Sequence, residues 1–305
     1  VYAMYHILKQ QGVQIVHAES LLGLYYGGLA ACLAKVPCVA TCHGYWPFSA
    51  TVARFFFRYF CQRIYPVSNT VAGELKKALP SASGKVQTIP LGFNKKFLAP
   101  LPSQRDARRI VKLPVDRPII MQIARFQAIK GQMHVLDALA ELIRRQNVMV
   151  PFVVFIGGIF EGGAPDADAY KTLVERRAQT PELRNYVQFL DHRNDVPTFM
   201  RAADVVVSPS DFETFGMTMI EAMVVGTPVV ATAVGGQQEI LEDQVTGILV
   251  PPNNPIALAE GIARVLSNPE LAIRLAKKAK ETALALYHPQ IRYARLQAEY
   301  SQLTR

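Results

Sequence analysis

Short runs rich in β-branched residues alternate with stretches of helical period along most of the chain, a pattern that predicts parallel sheets flanked by helices. In the first part, residues 13–17, 38–42, 64–67 and 86–89 read as strands with helices between them. The rhythm breaks over residues 90–102, where three prolines and a glycine mark a domain boundary. It resumes with strands at 118–124, 152–156, 187–190, 205–208 and 228–232. Helices are predicted at 132–146, at 170–178, near 196–202 and from about Met217. The second part is therefore a doubly wound α/β domain. From Pro255 onward the pattern is helical, and Pro289 breaks it before a last amphipathic segment at 291–303.

Composition narrows the class. The 305 residues are half hydrophobic, enough for a sizeable core and for two domains. No apolar stretch reaches the length of a membrane span, and residues 1–30 lack the layout of a secretory signal. A cytoplasmic protein is expected, with peripheral contact at the inner face of the membrane as a second expectation. Cys32, Cys38, Cys42 and Cys61 lack the spacing of a zinc or redox site and read as reduced core thiols. The net charge of +9 is uneven: residues 1–100 hold ten Lys or Arg against Glu19 and Glu74. Two readings stand for this balance, an anionic partner such as a membrane surface or phosphorylated substrate, or a solvated basic surface. Nucleic acid is not expected.

The chemistry concentrates in SDFETFGMTMIEAM at 210–223. This loop follows a parallel strand, at the end where open α/β sheets bind ligands. Gly216 permits a tight turn, and the following helix aims its free N–H groups and positive dipole end at the same spot, suiting phosphate. Glu213 and Glu221 cannot hold phosphate but accept hydrogen bonds from hydroxyls. Two acids around a phosphate cradle suggest a ligand with hydroxyls on both sides of its phosphates, as in a nucleotide sugar. Arg125 and Lys130, in ARFQAIKGQ between a strand and a helix, can converge on a departing diphosphate. Taken alone, the pair also suits two solvated cations at a helix start.

The run SDFETFGMTMIEAMVVGTPVVATAVGGQQEILEDQVTGILVPPNNP resembles the donor-binding signature of retaining glycosyltransferase family four. ARFQAIKGQ resembles that family's arginine-and-lysine loop, IPLGFNKKFLAP its interdomain crossover, and QIVHAES with CVATCHG its acceptor-domain strands. The resemblance implies the GT-B fold, two Rossmann-like domains facing a cleft. It divides the chain into an incomplete acceptor-binding domain at 1–98, a nucleotide-sugar-binding domain at 103–287 and a helix at 288–305 that packs back towards the first domain.

The same resemblance implies that Glu221 holds the nucleotide's ribose hydroxyls and Glu213 those of the donor sugar. Backbone amides at Phe215, Gly216, Met217 and Thr218 would contact the sugar and diphosphate, which Arg125 and Lys130 would neutralise. His43 would reach the donor from the opposite domain, and the nucleobase would sit near Asp191, His192 and Arg193. The reaction it implies is metal-independent, cofactor-free transfer with retention, from a nucleotide diphosphate sugar, uridine favoured, to a hydroxyl acceptor. That acceptor is a sugar, a lipid-linked molecule or another small molecule. Attack on the donor's front face, with the leaving phosphate oxygen aiding deprotonation, needs no protein nucleophile. Glu213 as nucleophile or general base is set aside, because hydroxyl binding uses both acids without shifted pKa values.

Asp166 and Asp168, the one Asp-x-Asp, suit a helix start better than a metal. The family's first strands and its glycine-rich loop have no counterpart before residue 13, so a piece of a longer protein is expected. Glu19 stands where a second histidine is often found. Alternatives are a nucleotide-sugar epimerase of the same architecture and a truncated, non-catalytic nucleotide-sugar-binding protein. A dehydrogenase is not expected, because GGIFEGG lacks the dinucleotide glycine spacing. Finally, ATVARFFFRYFCQR at 50–63 places Arg54 and Arg58 on one helical face and Val52, Phe56 and Phe60 on another. Packing on the acceptor-domain sheet is the favoured reading and an interfacial helix on anionic lipid the other.

Overall fold

The computed structural model describes residues 1–44, 51–146, 149–159 and 166–304. In chain order its elements are α1 (Tyr2–Gln10), β1 (Val16–Ala18), α2 (Leu21–Ala34), β2 (Cys38–Cys42), α3 (Thr51–Tyr59), β3 (Arg63–Pro66) and α4 (Asn69–Ala78). There follow α5 (Gln104–Ile110), β4 (Ile119–Ile123), α6 (Gln132–Arg145), β5 (Phe152–Ile156), α7 (Ala167–Ala178), β6 (Val187–Leu190), α8 (Val196–Ala202) and β7 (Val205–Ser208). The rest are α9 (Met217–Val225), β8 (Val229–Thr232), α10 (Gln237–Ile240), β9 (Ile248–Val250), α11 (Pro255–Ser267), α12 (Pro269–Leu286) and α13 (Pro289–Leu303). They form two units: Val1–Gly92 with Tyr287–Arg305, and Phe93–Leu286.

In the first unit β1, β2 and β3 pair in that order, all parallel. Every residue of β2 is buried, as expected of a parallel strand covered on both faces. Ser20 caps α2 by accepting from the Gly23 N–H at 3.0 Å, and Ser68 caps α4 through Val71 at 3.2 Å. The last helix, α13, belongs to this unit, where Leu296 packs with Val39, Tyr65 and Ile89.

Several expectations shift here. Residue 13 is drawn into the end of α1, its N–H bonding to the Leu8 carbonyl at 3.0 Å, so the first strand starts at Val16. The run 86–89 pairs only through a bridge from Val86 to Ile64 and two N–H bonds, because Pro90 ends it. Val52, expected on the packed face of its helix, is exposed; Ala53 and Phe57 are the buried residues. Cys38, Cys42 and Cys61 are buried thiols, with Cys38 pushed up to about 12 by burial, whereas Cys32 is exposed.

The second unit holds one six-stranded parallel sheet in the order β6-β5-β4-β7-β8-β9. The order reverses between β4 and β7, so the loops leaving these strands diverge and open a crevice at their carboxyl ends. One face of the sheet is closed by α6 and α11, through Leu136, Leu139 and Leu142 against Leu258 and Ile262, all at most 1% exposed. Each such side chain contributes about 1.5–3 kcal/mol by leaving water. Strand β9 was not anticipated from sequence; its apolar run is three residues long. Asp166 does sit at the start of α7, but its side chain makes no capping bond. Among the described residues no helix is long and apolar enough to cross a membrane.

Candidate functional site

The loops leaving β4 and β7 are knitted together at the switch point. The Asp211 N–H donates to the Ile129 carbonyl at 2.9 Å, and Gln122, on β4, donates through Nε2 to the Lys130 carbonyl at 2.6 Å. Gln132 Nε2 donates to the Arg125 carbonyl at 2.9 Å, and the Thr218 hydroxyl to the Ile123 carbonyl at 3.3 Å. Contact this close requires Gly131, with φ of 70°: a Cβ there would lie 2.1 Å from the Pro209 carbonyl oxygen. The glutamate loop is likewise pinned by the pair after β8. The Gly236 N–H donates to the Glu213 carbonyl at 2.9 Å, and a Cβ on Gly235 would meet that oxygen at 2.1 Å. The buried Gln237 ties α10 to the end of β7 by donating to Ser208 Oγ at 2.6 Å.

The result is a cavity of about 230 Å³ lined by Arg125, Lys130, Ser208, Ser210, Glu213, Gly216 and Thr218. Lys130 Nζ and Glu213 Oε2 form a 2.6 Å ion pair, their side chains 19% and 17% exposed. Gly216, at φ of 116°, is the N-cap of α9. Among the described residues the Met217 and Thr218 N–H groups have no acceptor, as befits a helix N-terminus open to a ligand. Phe215 is buried beside them. The fold thus brings together Arg125, Lys130, Glu213, Gly216 and Thr218, with Met217 next to them.

Glu221 stands farther along α9 and does not line this cavity. Burial raises its carboxyl from 4.5 to about 7, opposed by the charge of Lys96. Among the described residues it has neither a hydrogen bond nor an ion pair. The sequence reading asked for no shifted carboxyl, yet a largely buried acid with no hydrogen-bond partner among the described residues has one. His192 and Arg193 lie exposed after β6, outside the cavity; Arg193 donates to both carboxylate oxygens of Asp195 at 2.9 Å and sits over the Phe199 ring. Among the described residues no group of His, Cys, Asp and Glu could hold a metal ion.

His43 belongs to the first unit, just after β2. Its Nε2 is 2.5 Å from Glu19 Oε2. Glu19 also lies 3.5 Å from Nε2 of His17, which shares that nitrogen with the Thr41 hydroxyl at 2.7 Å and bonds through Nδ1 to Tyr300. Burial lowers His17 below its ordinary value, with Glu19 opposing. Burial alone would raise Glu19, but the His43 hydrogen bond and the charges of His17, His43 and Arg292 hold it below 4.5. Glu19 therefore bridges two histidines at the strand ends, an arrangement the sequence reading left unassigned.

Sequence reasoning also missed Gln122, Gln132, Gly235, Gly236 and Gln237. A glutamine within the apolar strand IIMQI and the Gly-Gly doublet after β8 were the available signals.

Comparison with known proteins agrees with this architecture. The chain is 33% identical over 180 residues to a D-inositol 3-phosphate glycosyltransferase of Corynebacterium urealyticum, covering 58% of this chain and 42% of that protein. It is 33% identical over 175 residues to an alpha-D-kanosaminyltransferase of Streptomyces kanamyceticus, covering 56% and 42%. The chain thus spans about half the length of the relatives it matches. A glycosyltransferase from Rickettsia africae superposes with a TM-score of 0.88 at 23% identity, over 99% of this chain and 80% of that one. Anabaena Alr3699/HepE in complex with UDP gives 0.86 at 24%, over 98% and 82%. These likenesses support the expected GT-B class of fold. The model of Glycosyltransferase Family 4 matches residues 1–97 and that of Glycosyl transferases group 1 matches residues 103–282. On that match, spanning more than half its length, this chain belongs to the glycosyl transferases group 1 family.

Proposed function

We propose that this chain moves a sugar from a nucleotide diphosphate sugar, with UDP-sugars favoured, to an acceptor hydroxyl, with retention and without a metal. The observation that carries the proposal is the convergence of Arg125, Lys130, Glu213 and the open N–H end of α9 on one cavity. A pyrophosphate needs cations and fixed N–H donors, and the sugar hydroxyls beside it need a carboxylate acceptor; this cavity has all three. In the ligand-free chain Lys130 satisfies Glu213, so a bound diphosphate competes for the ammonium and leaves Glu213 to the sugar. Arg125 and Lys130 then stabilise the leaving diphosphate, for which a key donor is worth about 3 kcal/mol. Glu221 takes the ribose hydroxyls, and the loop at His192 and Arg193 the base. The Anabaena protein's complexes with UDP and UDP-glucose support the choice of uridine. The acceptor is a sugar, a lipid-linked molecule or another small molecule, and an anionic membrane face is a partner.

The test is thermal shift against a panel of nucleotide sugars, followed by product analysis with and without acceptors. A matching donor raises the melting temperature of the wild type, by about 2.7 kcal/mol of stability at a hundredfold excess over Kd, and leaves Glu221→Ala unmoved. No shift with any donor, or an equal shift in Glu221→Ala, contradicts the assignment.

A further inference from the structure

The two units differ in charge as well as topology. The first carries eleven Lys and Arg against three Glu, a net +8; the second carries 22 against 21. The acids of the first unit are already engaged: Glu19 with His43, Glu74 with Lys77 and Glu299 with Arg63. Arg54 and Arg58, on α3, meet no carboxylate among the described residues.

At about 100° per residue, α3 sorts its side chains into three sectors. Ala53 and Phe57 face the core, with Phe56 half-buried beside them. Val52, Phe55 and Tyr59 share a second sector and are 55%, 50% and 61% exposed. Arg54 and Arg58 occupy the third. The exposed rings are contiguous, Phe55 and Tyr59 having centroids 5.0 Å apart, and Arg58 lies over Tyr59 at 5.3 Å. Beside Tyr59 opens a cavity of about 400 Å³ walled by Tyr59, Phe60, Val36 and Pro37, with Lys35 also lining it.

A single exposed apolar residue needs no explanation, but an apolar stripe bordered by unpaired arginines does. Water leaves the stripe unsatisfied, and an uncharged apolar partner would desolvate the arginines with nothing in return. An anionic bilayer satisfies both: aromatic rings settle at headgroup depth while guanidinium groups hold lipid phosphates. We propose that α3 is a docking helix for an anionic phospholipid surface, with Val52, Phe55 and Tyr59 entering the headgroup layer and Arg54 and Arg58 on its phosphates. This deepens the membrane part of the proposed function and is independent of the donor site.

The experiment is co-flotation of the 305-residue chain with vesicles of phosphatidylglycerol and phosphatidylcholine, against phosphatidylcholine alone, with no nucleotide present. Binding is expected on the anionic vesicles only. Replacing Arg54 and Arg58 by Gln together lowers the partition coefficient roughly 30-fold. Replacing Phe55 and Tyr59 by Ser weakens what binding survives high salt. All four positions lie on exposed sectors, so each double variant still folds and keeps the wild-type size of the thermal shift with a nucleotide sugar. That unchanged shift separates failure here from failure of the donor reading. The proposal is overturned by equal binding to both vesicle types, by no binding, or by binding that both double variants keep. A dimer in sedimentation that the Phe55→Ser, Tyr59→Ser variant converts to monomer also overturns it, since the face would then serve a second copy.

Discussion

The ion pair Lys130–Glu213 and the hydrogen bond His43–Glu19 both sit at the carboxyl ends of parallel strands, at 2.6 and 2.5 Å, yet they are built differently. The first is 19% and 17% exposed, and its two loops are fixed by backbone contacts around Gly131 and Gly235. The second is 42% and 54% exposed, and its Glu19 also lies 3.5 Å from His17 Nε2. Distance alone does not rank them. Water and salt screen the exposed pair, whereas the walled pair keeps its charge geometry when a ligand arrives.

Breaking the walled pair should have the largest effect. Lys130→Ala is expected to lower the transfer rate at saturating donor by roughly 10²–10³. Glu19→Gln should cost less than tenfold in the same assay. A milder loss in Lys130→Ala than in Glu19→Gln would reverse the comparison.

Glu221 sharpens it from the other side. Burial raises this acid, so the native state binds its proton more tightly than the unfolded chain does. Stability from this group is complete below 4.5 and is lost as pH climbs through about 7. Glu221→Gln should therefore gain about 3 kcal/mol in denaturant unfolding at about pH 8 and nothing at about pH 4. A gain independent of pH would mean that packing, not charge, is at issue. Gly235→Ala should cost about 2 kcal/mol, because a left-handed backbone and a blocked carbonyl must both yield, and should abolish the nucleotide-sugar thermal shift. Smallest of all, Glu19→Gln should change unfolding free energy by less than about 1 kcal/mol, and high salt should erase the difference.

The second unit was the more legible from sequence, for a physical reason. Its inner strands β7 and β8 are buried on both faces, so the runs VVVS and VVAT stand out as uninterrupted apolar segments between turns. The glutamate loop and the Arg125 and Lys130 loop were readable because phosphate chemistry restricts residue types near a helix N-terminus. What stayed hidden was set by tertiary contact. Gln237 acts through the Ser208 carbonyl, 29 residues away in sequence, Gln122 through the Lys130 carbonyl that the loop folds back against it, and Gly235 matters only because the Glu213 carbonyl lies against it. The three-residue β9 needed a neighbour to be seen as a strand. On α3 the helical period was clear, but which stripe turns inward depends on the sheet beneath, and Val52 therefore fell on the wrong side. Glu19 could be noticed as a departure from the family, whereas its position between His17 and His43 required the fold.

The most direct test of the central claim is the electron density of the chain crystallised with UDP. The account predicts the pyrophosphate at the start of α9, within hydrogen-bond reach of the Met217 and Thr218 N–H groups and of Arg125 and Lys130, with the ribose hydroxyls on Glu221. Density for UDP away from the β4 and β7 loops, or with Glu221 facing the phosphates, would contradict it.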